Sequence, residues 1–396
     1  MTLAQSLSCS MSAWTKLEQS LPNSTCYSFR QQRRTMQLAA NAHGVYVHIP
    51  FCSKRCDYCA FATFTDRHHL TSTYLKSLSQ HIARRVVEGM PPATSVFVGG
   101  GTPSMVPAEE LMAVLKTIPL AHGAEVTVEC NPDNITLPMM REYLAGGVNR
   151  ISIGVQSTVP HVLASLGRTH DPENVQRSVA YVREAGFSTF NLDIIYGAAG
   201  ESLDDWRTTV RDVVALDPPH VSAYGLTVEA NTPLASQTDR HPDNDDQADK
   251  YELVDQLFCD NGLVNYEISN WSKPGHECVH NYLYWLQGNY DGFGCAAHAH
   301  MDGRRWWNVR TPDRYIEMVD AGQTPESSSE TLDDSTRRLE ALQLLIRVRD
   351  GVPANSFSSE DQELLGDLIV SRGDRWVLTR AGRLMANEVS LRLRIS

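Results

Sequence analysis

From Val45 onward the chain alternates short apolar runs with longer segments whose apolar positions recur at helical spacing. The runs at 45–49, 95–98, 125–129, 150–155, 189–195 and 220–226 read as strands. Between them, 70–87, 108–118, 139–145, 172–185 and 203–216 read as helices. Strand then helix, repeated, is the pattern of parallel βα units. It predicts an α/β fold with a partial (βα)6 TIM-like barrel, whose chemistry belongs at the carboxyl ends of the strands. The acidic stretch 237–250 reads as a loop or domain seam, and 251–263 as a helix. Residues 266–310 are rich in aromatics, glycine and histidine. The tail predicts a helix at 337–347, a short strand at 376–378 and a last helix opened by Thr379. These suggest a small α+β, winged-helix-like C-terminal domain. The expected domains are a leader at 1–44, a core barrel at 45–236, a barrel extension at 237–330 and the C-terminal domain at 331–396.

Composition narrows the field. With 42% apolar residues the chain can bury a core, which excludes wholesale disorder. No apolar run approaches the roughly 18 residues that a transmembrane helix needs. A net charge of -12 counts against a generic nucleic-acid partner. Nine cysteines, an odd number with no secretory signal before them, suit a reducing compartment and a cytoplasmic protein. Residues 1–44 hold seven serines, a single acidic residue (Glu18) and the cluster Arg30, Arg33, Arg34. They read either as a leader, mitochondrial if it is a transit segment, or as the lead-in to a start at Met36, which is the preferred reading.

Three cysteines lie within eight positions directly after the first strand: Cys52, Cys56 and Cys59, spaced C-x3-C-x2-C. Thiolates are soft ligands for zinc or iron–sulfur centres. A structural zinc wants a fourth Cys or His in a second paired motif, and none follows. Three ligands on one tight loop instead suit a [4Fe-4S] cluster with one iron free of protein. In this spacing and place the chain resembles the radical S-adenosylmethionine (SAM) superfamily. The resemblance implies that the free iron chelates the amino and carboxylate groups of SAM. Electron transfer can then cleave the sulfonium to a 5′-deoxyadenosyl radical. Gly99-Gly100-Gly101-Thr102-Pro103 after the second strand matches the family's SAM loop, where glycines allow close backbone approach. Glu129, Gln156, Arg168 and Asp193 match the family on or after later strands. The resemblance therefore implies SAM contacts for Tyr46, Tyr58, Gly100 and Glu129. It implies a second SAM position lined by Gly101, Thr102, Gln156, Arg168 and Asp193. Cys130 reads as a core thiol.

The resemblance narrows to the group that contains oxygen-independent coproporphyrinogen dehydrogenase and a haem chaperone, over roughly residues 44–390. The dehydrogenase carries a further cysteine two residues after the third, where this chain has Phe61, and an N-terminal arm that residues 1–44 do not resemble. The chaperone branch carries H-N-x-x-Y-W, present here as His280, Asn281, Tyr284 and Trp285. Imidazole is a good axial ligand for haem iron, and aromatic rings pack on a macrocycle. On a helix His280 and Tyr284 share a face. His298 and His300 are weaker ligand candidates and read as structure near the site.

These features imply a haem-binding chaperone that passes haem to acceptor haemoproteins, with a [4Fe-4S] cluster and SAM as cofactors. Family resemblance adds a homodimer and membrane-associated respiratory acceptors. The competing expectation is a radical oxidoreductase acting on a porphyrinogen. Phe61 opposes it, and the intact set of SAM positions favours it.

Overall fold

The computed structural model describes residues 42–168 and 170–395. The leader reading lies outside the described residues up to position 41, and the last residues assigned to it begin the first strand, β1 (His43–Ile49). Five strands follow in parallel register: β2 (Ala93–Gly100), β3 (Leu120–Cys130), β4 (Arg150–Gln156), β5 (Thr189–Tyr196) and β6 (His220–Gly225). The linking helices include Thr71–Val87, Ala108–Leu115, Leu137–Ala145, Glu173–Ala185 and Leu203–Ala215.

Alternation along these strands sets the barrel wall. Val45, Val47, Ile49, Val96, Val98, Val126, Val128, Ile151 and Ile153 face outward into one core with Leu78, Ile82, Leu111, Val179 and Trp206 from the helices. The intervening positions point inward and are mostly small or polar, Phe97 and Ile195 being the exceptions, and ladder register aligns them in layers. Ser95 lies beside Gly44 and Glu125, Ser152 beside Glu129 and Asn191, and Asp193 beside Gly154 and Ser222.

The sheet continues past both barrel edges. Beside β1 comes β9 (Asn289–Phe293), parallel, then β10 (His298–Met301), β11 (Arg304–Asn308) and β12 (Glu326–Thr331), antiparallel. Beside β6 lie β8 (Asn270–Ser272) and β7 (Val264–Glu267). The twelve-stranded order ends at β12 and β7, so the barrel is open.

One sequence expectation is corrected here. The acidic stretch 237–250 is a loop only in part, because a helix runs Asn244–Asp260. Asp243 caps it by accepting from the backbone N–H groups of Asp245 and Asp246. Acidic residues there favour the positive helix end. Lys250 is fully buried against Glu201 at 3.1 Å and Asp246 at 2.6 Å.

After the helix Asp334–Leu345 a small antiparallel sheet forms, with Val352–Pro353, Arg375–Leu378 and Ile369–Arg372 in that order. It has its own apolar cluster around Ile346, Val352, Phe357, Ile369 and Val389. Thr379 caps the helix Arg380–Leu384 as its side chain suggests. Among the described residues no helix is long and apolar enough to cross a membrane.

Candidate functional site

A cavity of about 640 Å³ opens at the carboxyl ends of the barrel strands. Its lining includes Cys52, Cys56, Tyr58, Cys59, Gly100, Gly101, Thr102, Glu129, Gln156, Arg168 and Asp193. Every sequence-predicted cluster or SAM residue except Tyr46 thus meets on one surface. That volume is typical of a small-molecule or cofactor site.

The cysteines sit on a loop pinched at its base. Cys52 N–H donates to Phe64 O at 3.1 Å and Phe64 N–H to Pro50 O at 2.7 Å. Buried Phe51 anchors that base edge-on against Tyr74 at 5.5 Å. His48 holds the far arm: its Nε2 lies 2.9 Å from Ala62 O, and its Nδ1 lies 3.0 Å from the Tyr46 hydroxyl. A carbonyl only accepts, so Nε2 carries the proton and Nδ1 accepts from Tyr46. Burial pushes the His48 pKa down to about 4, which keeps the ring neutral. Tyr46 therefore supports the loop through His48.

The glycine triplet is a clamp. Gly101 N–H donates to Ile49 O at 2.7 Å and Thr102 N–H to Phe51 O at 2.8 Å, while Gly100 N–H reaches Glu129 Oε2 at 3.2 Å. These amides are spent on the protein, so toward a ligand the triplet offers carbonyl oxygens and open space. Gly100 has φ of 111°, and a Cβ there would lie 2.4 Å from the His48 ring. No residue but glycine fits.

The thiols are free and half-buried. Burial pushes the pKa of Cys52 and of Cys59 up. Arg168 brings the compensating charge: its Nη1 lies 3.9 Å from Cys56 Sγ, while Nη2 donates to Gly154 O at 3.0 Å. Among the described residues no three Cys, His, Asp or Glu side chains converge as ligands of one metal ion. A cubane cluster takes each thiolate at a different iron, so its ligands stand apart, and three thiols around one cavity suit it.

Polar groups on the floor suit a ligand carrying both charges. Burial, with the Asp193 charge next, pushes the Glu129 pKa up to about 8. Asp193 is also raised by burial, against bonds from Ser152 at 2.7 Å and Asn191 at 2.8 Å. Gln156 ends β4 with φ of 63°, a left-handed backbone rare for a long side chain and a common mark of functional sites. His48, Gly154, Ser152, His170 and Tyr224 complete the support and the lining and were not singled out from sequence. A glycine inside a strand was the available signal for Gly154.

The H-N-x-x-Y-W segment lies elsewhere. Its helix, Val279–Trp285, closes the amino-terminal end of the barrel. Glu125, the first inward residue of β3 in this layer, accepts from the backbone N–H groups of Val279 at 3.1 Å and His280 at 3.2 Å. His280 is fully buried, stacked on Phe97 at 5.5 Å. Its Nδ1 is 2.9 Å from Ser95 Oγ and its Nε2 is 2.8 Å from the Tyr284 hydroxyl. Burial lowers its pKa to about 3. Asn281, Tyr284 and Trp285 are half-buried.

Barrel, cysteine loop and cavity together define a radical SAM protein, and a model of the Radical SAM superfamily matches residues 46–213. Among curated relatives, the heme chaperone HemW of Mycobacterium tuberculosis (strain H37Rv) is 38% identical over 363 residues, covering 87% of this chain and 93% of the relative. The heme chaperone HemW of Escherichia coli K12 is 32% identical over 364 residues, covering 87% and 96%. The chain belongs to the HemW family. Among solved structures, coproporphyrinogen III oxidase (HemN) from Escherichia coli shares the fold, with a TM-score of 0.75 at 22% identity over 96% of this chain and 97% of that one.

Proposed function

We propose that this protein binds haem and passes it to acceptor haemoproteins, on a scaffold that holds a [4Fe-4S] cluster at Cys52, Cys56 and Cys59 with SAM beside it. One observation carries the reading: 38% identity to a heme chaperone over 93% of that relative's length. Phe61, in place of the dehydrogenase cysteine, supports it and stands 64% exposed at the cavity.

When bound, the cluster supplies a one-electron centre with an iron free of protein ligand, and SAM a cleavable sulfonium. The chain's own residues prepare that site. Arg168 would offset thiolate charge at Cys56, Thr102 Oγ1 lies 3.6 Å from Cys52 Sγ, and Glu129 and Asp193 would face the cationic parts of SAM. Tyr58, packed against the apolar cluster that includes Val162, Leu166 and Leu226, walls one side. In the haem segment Asn281, Tyr284 and Trp285 offer contact surface, and His280 reaches an iron only by giving up the hydrogen bond at the nitrogen that would bind it, to Ser95 or to Tyr284. Acceptors in membrane-associated respiratory enzymes, a homodimer and a cytoplasmic setting belong to the same proposal.

The cavity also favours a second reading, a radical oxidoreductase on a porphyrinogen, because its carboxylates, arginine and glutamine are assembled without haem. Anaerobically reconstituted protein loaded with haem is mixed with apomyoglobin, and 5′-deoxyadenosine is assayed in parallel with a porphyrinogen. Haem transfer without SAM consumption supports the chaperone. Porphyrinogen-dependent 5′-deoxyadenosine with no transfer overturns it.

A further inference from the structure

The histidine that the motif singles out is closed off, and another is open. We propose that His298 is the residue that ligates haem iron in this chain, an assignment that rests on the haem-chaperone reading. An iron ligand needs an imidazole nitrogen with a lone pair not already engaged. His280 spends both nitrogens in the core, on Ser95 and Tyr284. His300 does the same: Nδ1 donates to Gly288 O at 2.9 Å, and Nε2 accepts from Gly303 N–H at 3.1 Å. His48 and His220 are likewise bonded at both nitrogens, and His43 is buried against Asp291 at 3.1 Å.

His298 is exposed at the start of β10, and its ring makes no hydrogen bond to a described residue. It stacks on Trp307 across the β10–β11 ladder, at 5.6 Å between centroids and 27° between planes. Stacking occupies the face of the imidazole and restrains its rotation. The edge, where both nitrogens lie, stays available. Partial burial and the Arg305 charge lower its pKa, so the ring is neutral at pH 7 and can bind a metal.

Its position ties it to the motif. His298, His300 and Trp307 share one face of the sheet. His300 neighbours Tyr290 at 6.3 Å, and Tyr290 meets Tyr284 edge-on at 4.8 Å. Rings thus run from the motif helix to His298, with Tyr284, Tyr290 and Trp307 half-buried and His300 buried between them, the kind of surface a tetrapyrrole covers. In this arrangement His280 is a positioning residue that holds Tyr284 through the 2.8 Å bond.

The test is a ferric haem titration of the full chain, followed by the Soret band and by electron paramagnetic resonance, for wild type, His298→Ala and His280→Gln. Far-ultraviolet dichroism confirms that each is folded. The expected result is that His298→Ala loses the histidine-ligated spectrum and binds about tenfold or more weakly, that added imidazole restores the spectrum, and that His280→Gln keeps it. A wild-type spectrum and affinity in His298→Ala overturn the assignment while haem binding by the chain stands. Absence of saturable binding by wild type overturns the chaperone reading itself, and the assignment with it.

Discussion

At Gly100 three demands meet on one atom that is missing. The backbone is left-handed, the amide must reach Glu129, and the space of a Cβ is filled by His48. Gly100→Ala is expected to cost about 1–3 kcal/mol from backbone strain alone, more once His48 is displaced from Ala62, read as a lowered urea midpoint. Glu129 makes a different prediction. Its folded pKa is raised from 4.5 to about 8, so the folded state holds this proton more tightly than the unfolded chain. The stability this gives is fully present below pH 4.5 and is lost as pH rises through 8. Glu129→Gln cannot ionise and keeps an acceptor for Gly100. In thermal melts of the protein without cofactors, the variant should gain on wild type from pH 5 to pH 8; parallel curves would refute the shift.

At the scale of elements, the cysteine loop is positioned from outside itself. Its base bonds across to Phe64, its outer arm hangs on His48, and its middle is tied to the segment after β6. Leu234 N–H donates to Asp57 O at 3.0 Å, and Arg240 pairs with Asp57 at 3.0 Å. Three thiols thus stay near one cavity without metal. Replacing Cys52, Cys56 or Cys59 singly by Ala should leave the fold intact and abolish the four-iron spectrum after anaerobic reconstitution. Retention of that spectrum in any one variant would remove that residue from the ligand set. The helix Asn244–Asp260 shows the opposite economy, since one buried ion pair joins it to the turn after β5. Lys250 also donates to Glu201 O at 2.8 Å. Lys250→Met strands the Glu201 carboxylate and should destabilise by about 3–5 kcal/mol in chemical denaturation.

For the whole molecule, the C-terminal sheet and helices are held to the barrel extension through Asp255. This buried carboxylate accepts from Trp271 Nε1 at 2.8 Å, from Arg380 at 2.5 Å and from Arg383 at 2.8 Å. Removing its charge leaves two guanidinium groups facing a neutral amide. Asp255→Asn should raise amide exchange across residues 350–395 while the barrel strands stay protected, measured by hydrogen–deuterium exchange mass spectrometry. Uniform loosening of both parts would mean that the carboxylate stabilises the whole fold rather than this junction. Cavity and motif helix lie at opposite ends of the barrel strands. Between them runs a buried polar chain: Asp193, Ser152 and Asn191, then His220 at 2.6 Å from Asn191 and Tyr266 at 2.8 Å from His220.

The sequence by itself determined the parallel βα order, the cysteine loop after β1, the positions of Gly100, Glu129 and Gln156 at or next to strand ends, and that of Asp193 within β5. These depend on local period and on spacing along the chain, which a sequence carries directly. Alternation such as E-V-T-V-E in β3 and R-I-S-I-G in β4 also held the polar interior in plain view. Other features were decided only by the folded chain. An acidic, Pro-containing run looked like a seam because nothing local announces that Lys250 is buried against a glutamate 49 residues away. Nothing in Tyr46 or His48 alone says that together they hold the cysteine loop. The fate of the histidines was settled in the same way. His280 carried the recognisable motif, yet Ser95, 185 positions distant, and Phe97 enclose it. His298 gained its indole partner only when β10 paired with β11. Burial and hydrogen-bond saturation depend on contacts remote in sequence, so whether an imidazole is free to bind iron is a property of the tertiary structure.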